Sequence, residues 1–435
     1  MTPTRPSLGA GFGRLLGANL ASSLADGIAR TAAPLLAVRL TSDPLLVAGV
    51  AAVVMLPWLL AALPAGLIVD RCDTRRVLLM ASATRSLLAA LLVVLTGTSF
   101  LTIWWLYGIL FVYGLGETLA DGAIRAAVPS LVGPAELTRA NSRIEAGEQV
   151  LQGFAAAPLT SALFAVSALI PLGLGGAAFA LAAGLALALP PAAAGSSHSP
   201  QAQRLPDQLR AGLSFLRTDR RLLMLWLFST FWALCLTMGT SLVPLLALQS
   251  LGLPEALFGV LMLSEAIGGV LAAGLVERAR RRWGGGTTMA VANVVASSAL
   301  VMIWVVPQLW MLAAALFVHA AMMVSWNVLI MSFRQAVIPT ALFGRVHGTW
   351  RTLHWGAMPL GAILAGPLGR VDVTLPFAVG GGAAALVGLA LYPRIARLPD
   401  PEDIQDLATS TSDRTSTSTD RMNAGCTRSG GRPTT

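Results

Sequence analysis

Apolar stretches of about 20 residues or more, each long enough to cross the hydrocarbon core of a bilayer, recur along this chain with only short breaks between them. The candidates are 13–39, 45–69, 76–97, 101–124, 142–167, 172–190, 221–248, 255–277, 288–306, 309–333, 346–368 and 374–392. In lipid every backbone N–H and C=O must be bonded internally, which for segments of this length means an α-helix. Only 12% of the 435 residues are charged, against about 25% in soluble domains. An ordinary soluble enzyme is excluded, and there is no room for a large soluble domain.

The basic residues are all arginine, and they fall in alternate breaks. One set of breaks, with its edges, holds Arg71, Arg75, Arg76, Arg125, Arg139, Arg204, Arg210, Arg217, Arg220, Arg278, Arg280, Arg281, Arg282 and Arg334; the other offers only Arg39 and Arg370. Basic loops stay on the cytoplasmic side. The expectation is a multi-pass protein of the plasma or inner membrane with both termini in the cytoplasm. Topology therefore accounts for the net charge of +9, and nucleic acid is not an expected partner. Cys72, Cys235 and Cys426 are too far apart for a disulfide framework or a metal site. The four histidines, His198, His319, His347 and His354, are scattered, and no nucleophile with a neighbouring base or Gly-rich phosphate loop occurs. The residues point away from an enzyme, and no metal or cofactor is expected.

The longest internal break, 191–220, starts as a flexible Pro/Ala/Gly/Ser linker and changes character at Leu205. Leu205, Leu209, Leu213 and Leu216 then recur at helical spacing with Arg210 and Arg217 between them, the pattern of a helix lying on the inner membrane surface. The expected organisation is a first six-helix unit over 1–190, this linker over 191–220, a second six-helix unit over 221–395 and a disordered cytoplasmic tail over 396–435. Two echoes relate the units. Gly66-Leu-Ile-Val-Asp70-Arg71 is answered by Gly274-Leu-Val-Glu277-Arg278, and Ala157-Pro158-Leu159 by Met358-Pro359-Leu360. Equivalent spans carry both pairs at nearly the same offset, which points to a duplicated unit related by an axis along the membrane normal.

The segment from Gly66 through Asp70, Arg71, Arg75 and Arg76 resembles the loop signature of the major facilitator superfamily. Asp26-Gly27, Gly116-Glu117-Thr118-Leu119-Ala120-Asp121, Trp326-Asn327, Arg334-Gln335 and Gly344-Arg345-Val346 resemble the macrolide and siderophore exporter branch, over about residues 12–395. The resemblance implies an all-α integral membrane protein of twelve transmembrane helices in two pseudo-symmetric six-helix bundles that rock about a central cavity. It also implies a cytoplasmic gate in which Asp70 meets a helix N-terminus or an arginine of the other half, and Arg71, Arg75 and Arg76 bind carboxylates or carbonyls. The run Gly153, Ala157, Pro158, Ser161, Ala162 resembles the antiporter motif of exporters, with three glycines replaced. Small residues at that spacing also serve simple close packing.

An ionisable group at mid-membrane costs about 2.5–3.5 kcal/mol on insertion scales, so each needs a partner or a purpose. Asp26 and Arg30, four apart on one helix face, either neutralise each other or line a cavity. Glu117 and Asp121 share a face and are suited to carry a proton, although Asp121 can also pair with Arg125. Glu145 and Glu148 lie near Arg139 and Arg143. Glu265 has no basic neighbour in sequence. The proton-coupling candidates are thus Asp26, Glu117, Asp121 and Glu265. Arg30, Trp232, His319, Met323, Trp326 and Asn327 are the candidates for the substrate cavity.

Taken with the resemblance, these residues describe a monomeric proton-coupled antiporter exporting small hydrophobic or cationic compounds such as drugs or secondary metabolites. The alternative keeps the fold but has a narrow siderophore cargo or runs as a metabolite uptake symporter. A sensor or enzyme is the rival from another class.

Overall fold

The computed structural model describes residues 8–190, 205–400 and 402–403. The linker 191–204, most of the tail and Cys426 lie outside the described residues, as do the side chains of Gly66 and Asp70. All regular structure among the described residues is helical. The first half contains α1 (Gly9–Leu40), α2 (Pro44–Arg71), α3 (Thr74–Gly97), α4 (Ile103–Leu131), α5 (Leu137–Glu148), α6 (Ala156–Val166) and α7 (Leu169–Leu187). A π-helical segment, Gln149–Ala155, fuses α5 to α6. After α8 (Leu205–Thr218), the second half runs through α9 (Arg220–Thr240), the short α10 (Val243–Leu245), α11 (Glu255–Trp283), α12 (Gly285–Val305), α13 (Leu309–Val337), α14 (Thr340–Val371) and α15 (Leu375–Ile395).

Short polar breaks start these helices by capping them. Asp43 accepts from the Leu45 N–H at 3.0 Å, Asp73 from Arg75 at 2.9 Å and Asp219 from Arg221 at 2.7 Å, so the first free amides of α2, α3 and α9 are satisfied within the turn. Ten helical passes are long and apolar enough to cross a membrane, counting α5–α6 and α9–α10 as one each. The remaining long helices, α1 and α14, have 32 residues each but are diluted by Arg14, Asp26, Arg30 and Arg39, and by Arg345, Arg351 and Arg370. With α1 and α14 there are twelve long helical segments among the described residues, where twelve passes were expected.

The burial pattern is that of a membrane protein. Leu87, Val166, Leu181 and Leu386 point outwards although they are large and apolar. Phe100, Trp104, Trp105, Trp304 and Trp310, all exposed, ring the ends of the spans far from the chain termini, as aromatic side chains do at a membrane–water interface. We call this the distal face and its opposite the terminal face. Within the first half α1 and α3 pack on α7, and α2 on α4; within the second, α12 packs on α15, α11 on α13, and α9 on α14. The halves meet along two seams, α2 against α14 and α6 against α11.

Residues 205–218 form the expected helix. It packs on α14 and α9, with Leu216 fully buried in the core of the second half. Residues 396–400, expected to begin a disordered tail, are also held. Leu398 is buried, and the Asp400 carboxylate caps α12 by accepting from the Gly285 N–H at 2.7 Å.

Candidate functional site

The deepest polar cluster lies inside the first half. Arg85, midway along α3, is completely buried. Its guanidinium donates to the Asp26 carboxylate at 2.9 Å and to the Ser22 hydroxyl at 3.0 Å, and the Tyr113 hydroxyl donates to the same carboxylate at 2.6 Å. The ring of Phe179 lies 4.4 Å beneath the guanidinium. Every partner that Asp26 needs is therefore supplied by α1, α3 and α4, and the pair is part of the wall. Asp26 and Arg30 do not neutralise each other. Arg30 instead donates to Glu117 of α4 at 2.6 Å, because neighbouring helices offer each of them a direct partner that the turn along α1 does not.

Around this cluster opens a polar chamber lined by residues of α1, α2, α3, α4, α14 and the fifth pass. Glu117 and Asp121 share a face of α4 but have different partners, Glu117 on Arg30 and Asp121 on Arg125 at 3.2 Å. Glu145 reaches Arg125 at 3.4 Å, not Arg143, and Glu148 accepts from Asn19 at 3.1 Å. On the far wall stands Arg351 of α14. Its guanidinium carbon lies 5.5 Å from the ring of Trp58 on α2 and 4.9 Å from that of Trp355, and the two rings are 5.8 Å apart. Arg351 has no carboxylate partner among the described residues.

A larger cavity lies between the halves. Arg30 and Gln152 belong to the walls of both spaces, so the two adjoin. Glu265 of α11 faces this cavity beside Met262, Val270 and Val324, with no hydrogen bond or ion pair among the described residues. The π-helical segment of the fifth pass supplies Gln149, Gln152 and Gly153 to the opposite wall. Pro158 lacks an N–H, which removes one helical bond, and the wider turn just before it re-aims these side chains into the cavity.

Other expected cavity residues sit elsewhere. Trp232 and Trp326 are buried in the core of the second half, their rings 5.0 Å apart, with the Trp232 indole donating to Ser297 at 3.1 Å. His319 is buried against α12 and bonded to the Ala296 backbone. Met323 is half-buried and Asn327 exposed; their neighbours Ala320 and Val324 line the cavity. Sequence reasoning missed Arg85, Tyr113 and Trp58. Arg85 was legible, since an arginine in the middle of the apolar stretch 76–97 carries the same insertion cost as Asp26 or Arg30.

At the distal face the halves are locked together. Arg39 makes a two-pronged ion pair with Glu255, and Arg370 another with Asp43 at 2.9 and 2.6 Å. The Arg370 guanidinium holds the Asp43 carboxyl below the usual carboxylate range. The Gln249 amide donates to the Val38 carbonyl at 2.8 Å. Nearby, Gly259 of α11 sits so close to Ala157 and Pro158 of α6 that a Cβ there would collide with the Ala157 carbonyl. Small residues on both helices permit the approach; Gly153 faces Gln149 on its own segment, and Ser161 is buried. At the terminal face, Arg71 and Arg76 are exposed and Arg75 is half-buried. None of the three forms an ion pair with the second half among the described residues. Their counterparts are engaged locally, Glu277 with Arg280 and Arg281, and Arg280 also with Glu402 at 2.9 Å.

Two helical bundles with a charged cavity at their junction, tied together by ion pairs at the distal face, have the build of a membrane transporter. A family model described as "Transmembrane secretion effector" matches residues 2–421, and the chain belongs to that family. The solved structures agree on the fold. A mutant form of the nucleoside transporter NupG superposes with a TM-score of 0.72 at 12% identity, covering 89% of this chain and 100% of that one. A bacterial homologue of the iron transporter ferroportin, in its inward-facing state, gives 0.70 at 16% identity, covering 90% and 100%. A POT family transporter in complex with a thioalcohol-conjugated peptide gives 0.66 at 12%, covering 88% and 96%. No curated protein matches the chain in sequence. The protein is thus a secondary transporter of the major facilitator fold that moves a small-molecule substrate across a membrane, not an enzyme.

Proposed function

We propose that the protein is a proton-coupled antiporter exporting small hydrophobic or cationic compounds, of the kind handled by the macrolide and siderophore exporter branch. The observation that carries this reading is Glu265, a carboxylate at mid-depth facing the central cavity with no cationic partner among the described residues. An ionised carboxylate in such a setting costs several kcal/mol. A proton or a cationic cargo can occupy it, and each displaces the other, which is the exchange an antiporter needs. Asp26, Glu117 and Asp121 are already held by arginines, so Glu265 is the coupling residue in this reading.

The basic loops assign the terminal face, with both chain ends, to the cytoplasm. In this reading the distal ion pairs close the outside, while the gate residues Arg71, Arg75 and Arg76 form no ion pair with the second half among the described residues. Asp70 and these arginines would close the inner side in the other half of the cycle.

The test uses purified protein in liposomes with an imposed pH gradient and a panel of lipophilic cations and neutral antibiotics. Wild type is expected to accumulate several of them, with loss of accumulation when a protonophore collapses the gradient. Glu265→Gln is expected to lose gradient-driven accumulation. Full accumulation by that variant would overturn Glu265 as the coupling residue, and no movement of any compound by wild type would overturn the export of this class.

A further inference from the structure

Among the described residues, Arg351 is the cation in the chamber wall that no carboxylate answers. The four carboxylates of that chamber are each engaged, Asp26 by Arg85, Glu117 by Arg30, Asp121 by Arg125 and Glu148 by the Asn19 amide. Its guanidinium is held instead by two tryptophans, one from each half, Trp58 at 5.5 Å and Trp355 at 4.9 Å. The two rings, tilted 55° to each other, confine the guanidinium yet consume none of its N–H donors. An arginine so exposed to the chamber, pre-oriented and left with free donors, is built to receive a planar anion by two parallel hydrogen bonds. Arg351 lies within five residues of the middle of α14, and Trp58 at the middle of α2, so this is a mid-membrane charge and not a topology determinant.

We propose that Arg351, clasped by Trp58 and Trp355, is an anion subsite, and that the cargo is amphoteric: an apolar or aromatic body bearing a carboxylate for Arg351 and an amine for Glu265. The two uncompensated charges lie on the walls of adjoining spaces that share Arg30 and Gln152. The amine half of this assignment rests on the function proposed above; the carboxylate half is independent of it.

The experiment is equilibrium binding to the full-length protein in lipid nanodiscs without any gradient, read by dansyl anisotropy. Three matched probes are used: Nε-dansyl-lysine, which carries both charges, its methyl ester, which keeps only the amine, and its Nα-acetyl derivative, which keeps only the carboxylate. Wild type is expected to bind the doubly charged probe about tenfold or more tightly than the ester, the gain of one charge-assisted two-pronged contact. Arg351→Gln is expected to bring that ratio to within about twofold while leaving ester affinity unchanged, which also reports a folded protein. Arg351→Lys keeps the charge but not the planar fork, and is expected to fall between the two. A wild-type ratio near one, an unchanged ratio in Arg351→Gln, an equal loss of both affinities or no binding of any probe would each overturn the subsite. Proton-driven export of a plain cation without acid preference would sink this proposal and leave the transport reading standing; acid preference without gradient-driven transport would do the reverse.

Discussion

Arg39 and Glu255 join the two halves of the protein across the distal face through a two-pronged ion pair, with Arg39 Nε 2.7 Å from one carboxylate oxygen and a terminal nitrogen 2.5 Å from the other. Neither residue lines the cavity between the halves, and 216 positions separate them in the sequence. The contact exists only while the distal ends of α1 and α11 are together, so it acts on the balance between states and not on substrate.

Removing it should loosen that closure. The side chains are 44% and 29% exposed, so the pair contributes at most about 1 kcal/mol, equivalent to a shift of about fivefold in the closed-to-open ratio. Spin labels at Ser99 and Gln308, on distal loops of opposite halves, with Cys72 and Cys426 replaced by Ser, would report the distance. Arg39→Gln is expected to raise the long-distance population, and the reciprocal exchange Arg39→Glu with Glu255→Arg is expected to restore it. High salt should mimic Arg39→Gln in the wild type. An unaltered distance distribution in Arg39→Gln would show that the pair has no hold on the equilibrium.

The second ion pair gives closure a defined pH window. Arg370 lowers the pKa of Asp43 when the distal ends are together, so the carboxyl binds protons more weakly in the closed state than in the open one. Ionised Asp43 therefore favours closure, fully at pH values above the ordinary aspartate value of about 3.9, and the preference is lost as pH falls through the lower closed-state value. The same label pair should show constant closure from about pH 8 to pH 5 on this account, with opening only below about pH 4. A change between those upper values that persists in Asp43→Asn would have to arise from another titrating group, a histidine or a carboxylate within the spans.

The buried pair should behave differently from both. Arg85 is fully enclosed and bonded to Asp26, so Arg85→Met leaves an uncompensated buried carboxylate at a cost of about 3–5 kcal/mol. Thermal unfolding in detergent should show a large loss for Arg85→Met and a much smaller one for the double variant Arg85→Met with Asp26→Asn. Additive losses would mean that the two side chains do not act as a unit.

These contrasts mark what the sequence could and could not convey. The twelve passes were legible because lipid demands helices and apolar runs of fixed length, and the duplicated unit because Gly66–Arg71 and Gly274–Arg278 repeat in register. That acidic residues in the spans needed partners was legible too. Their pairing was not, since it depends on which helices become neighbours: Asp26 turns to Arg85 on α3, Arg30 to Glu117 on α4, and neither distance is written in the spacing along α1. Trp232 and Trp326 show the same limit from the other side. An aromatic residue on a membrane helix has the same signature whether it faces cargo or its own bundle, and only the contacts of Trp232 with Trp326 on α13 and Ser297 on α12 assign them to the core.

A close backbone approach between the halves gives a direct test of rigid-body rocking. Gly259 on α11 faces the backbone of α6 at Ala157 and Pro158, and a backbone carbonyl cannot step aside as a side-chain rotamer does. Gly259→Ala must therefore push the two helices apart, and it should shift the Ser99–Gln308 distances towards the distal-open state, the same direction as Arg39→Gln. The causes are opposite, steric repulsion in one and lost attraction in the other, and salt separates them: the Gly259→Ala shift should be the same in low and high salt, whereas the wild type responds to salt through its ion pairs. The clash is with the carbonyl and not with the Ala157 methyl, so adding Ala157→Gly should not restore closure. Restoration by that second substitution would relocate the contact to the side chains and weaken the view that the halves rock as rigid bodies about this crossing.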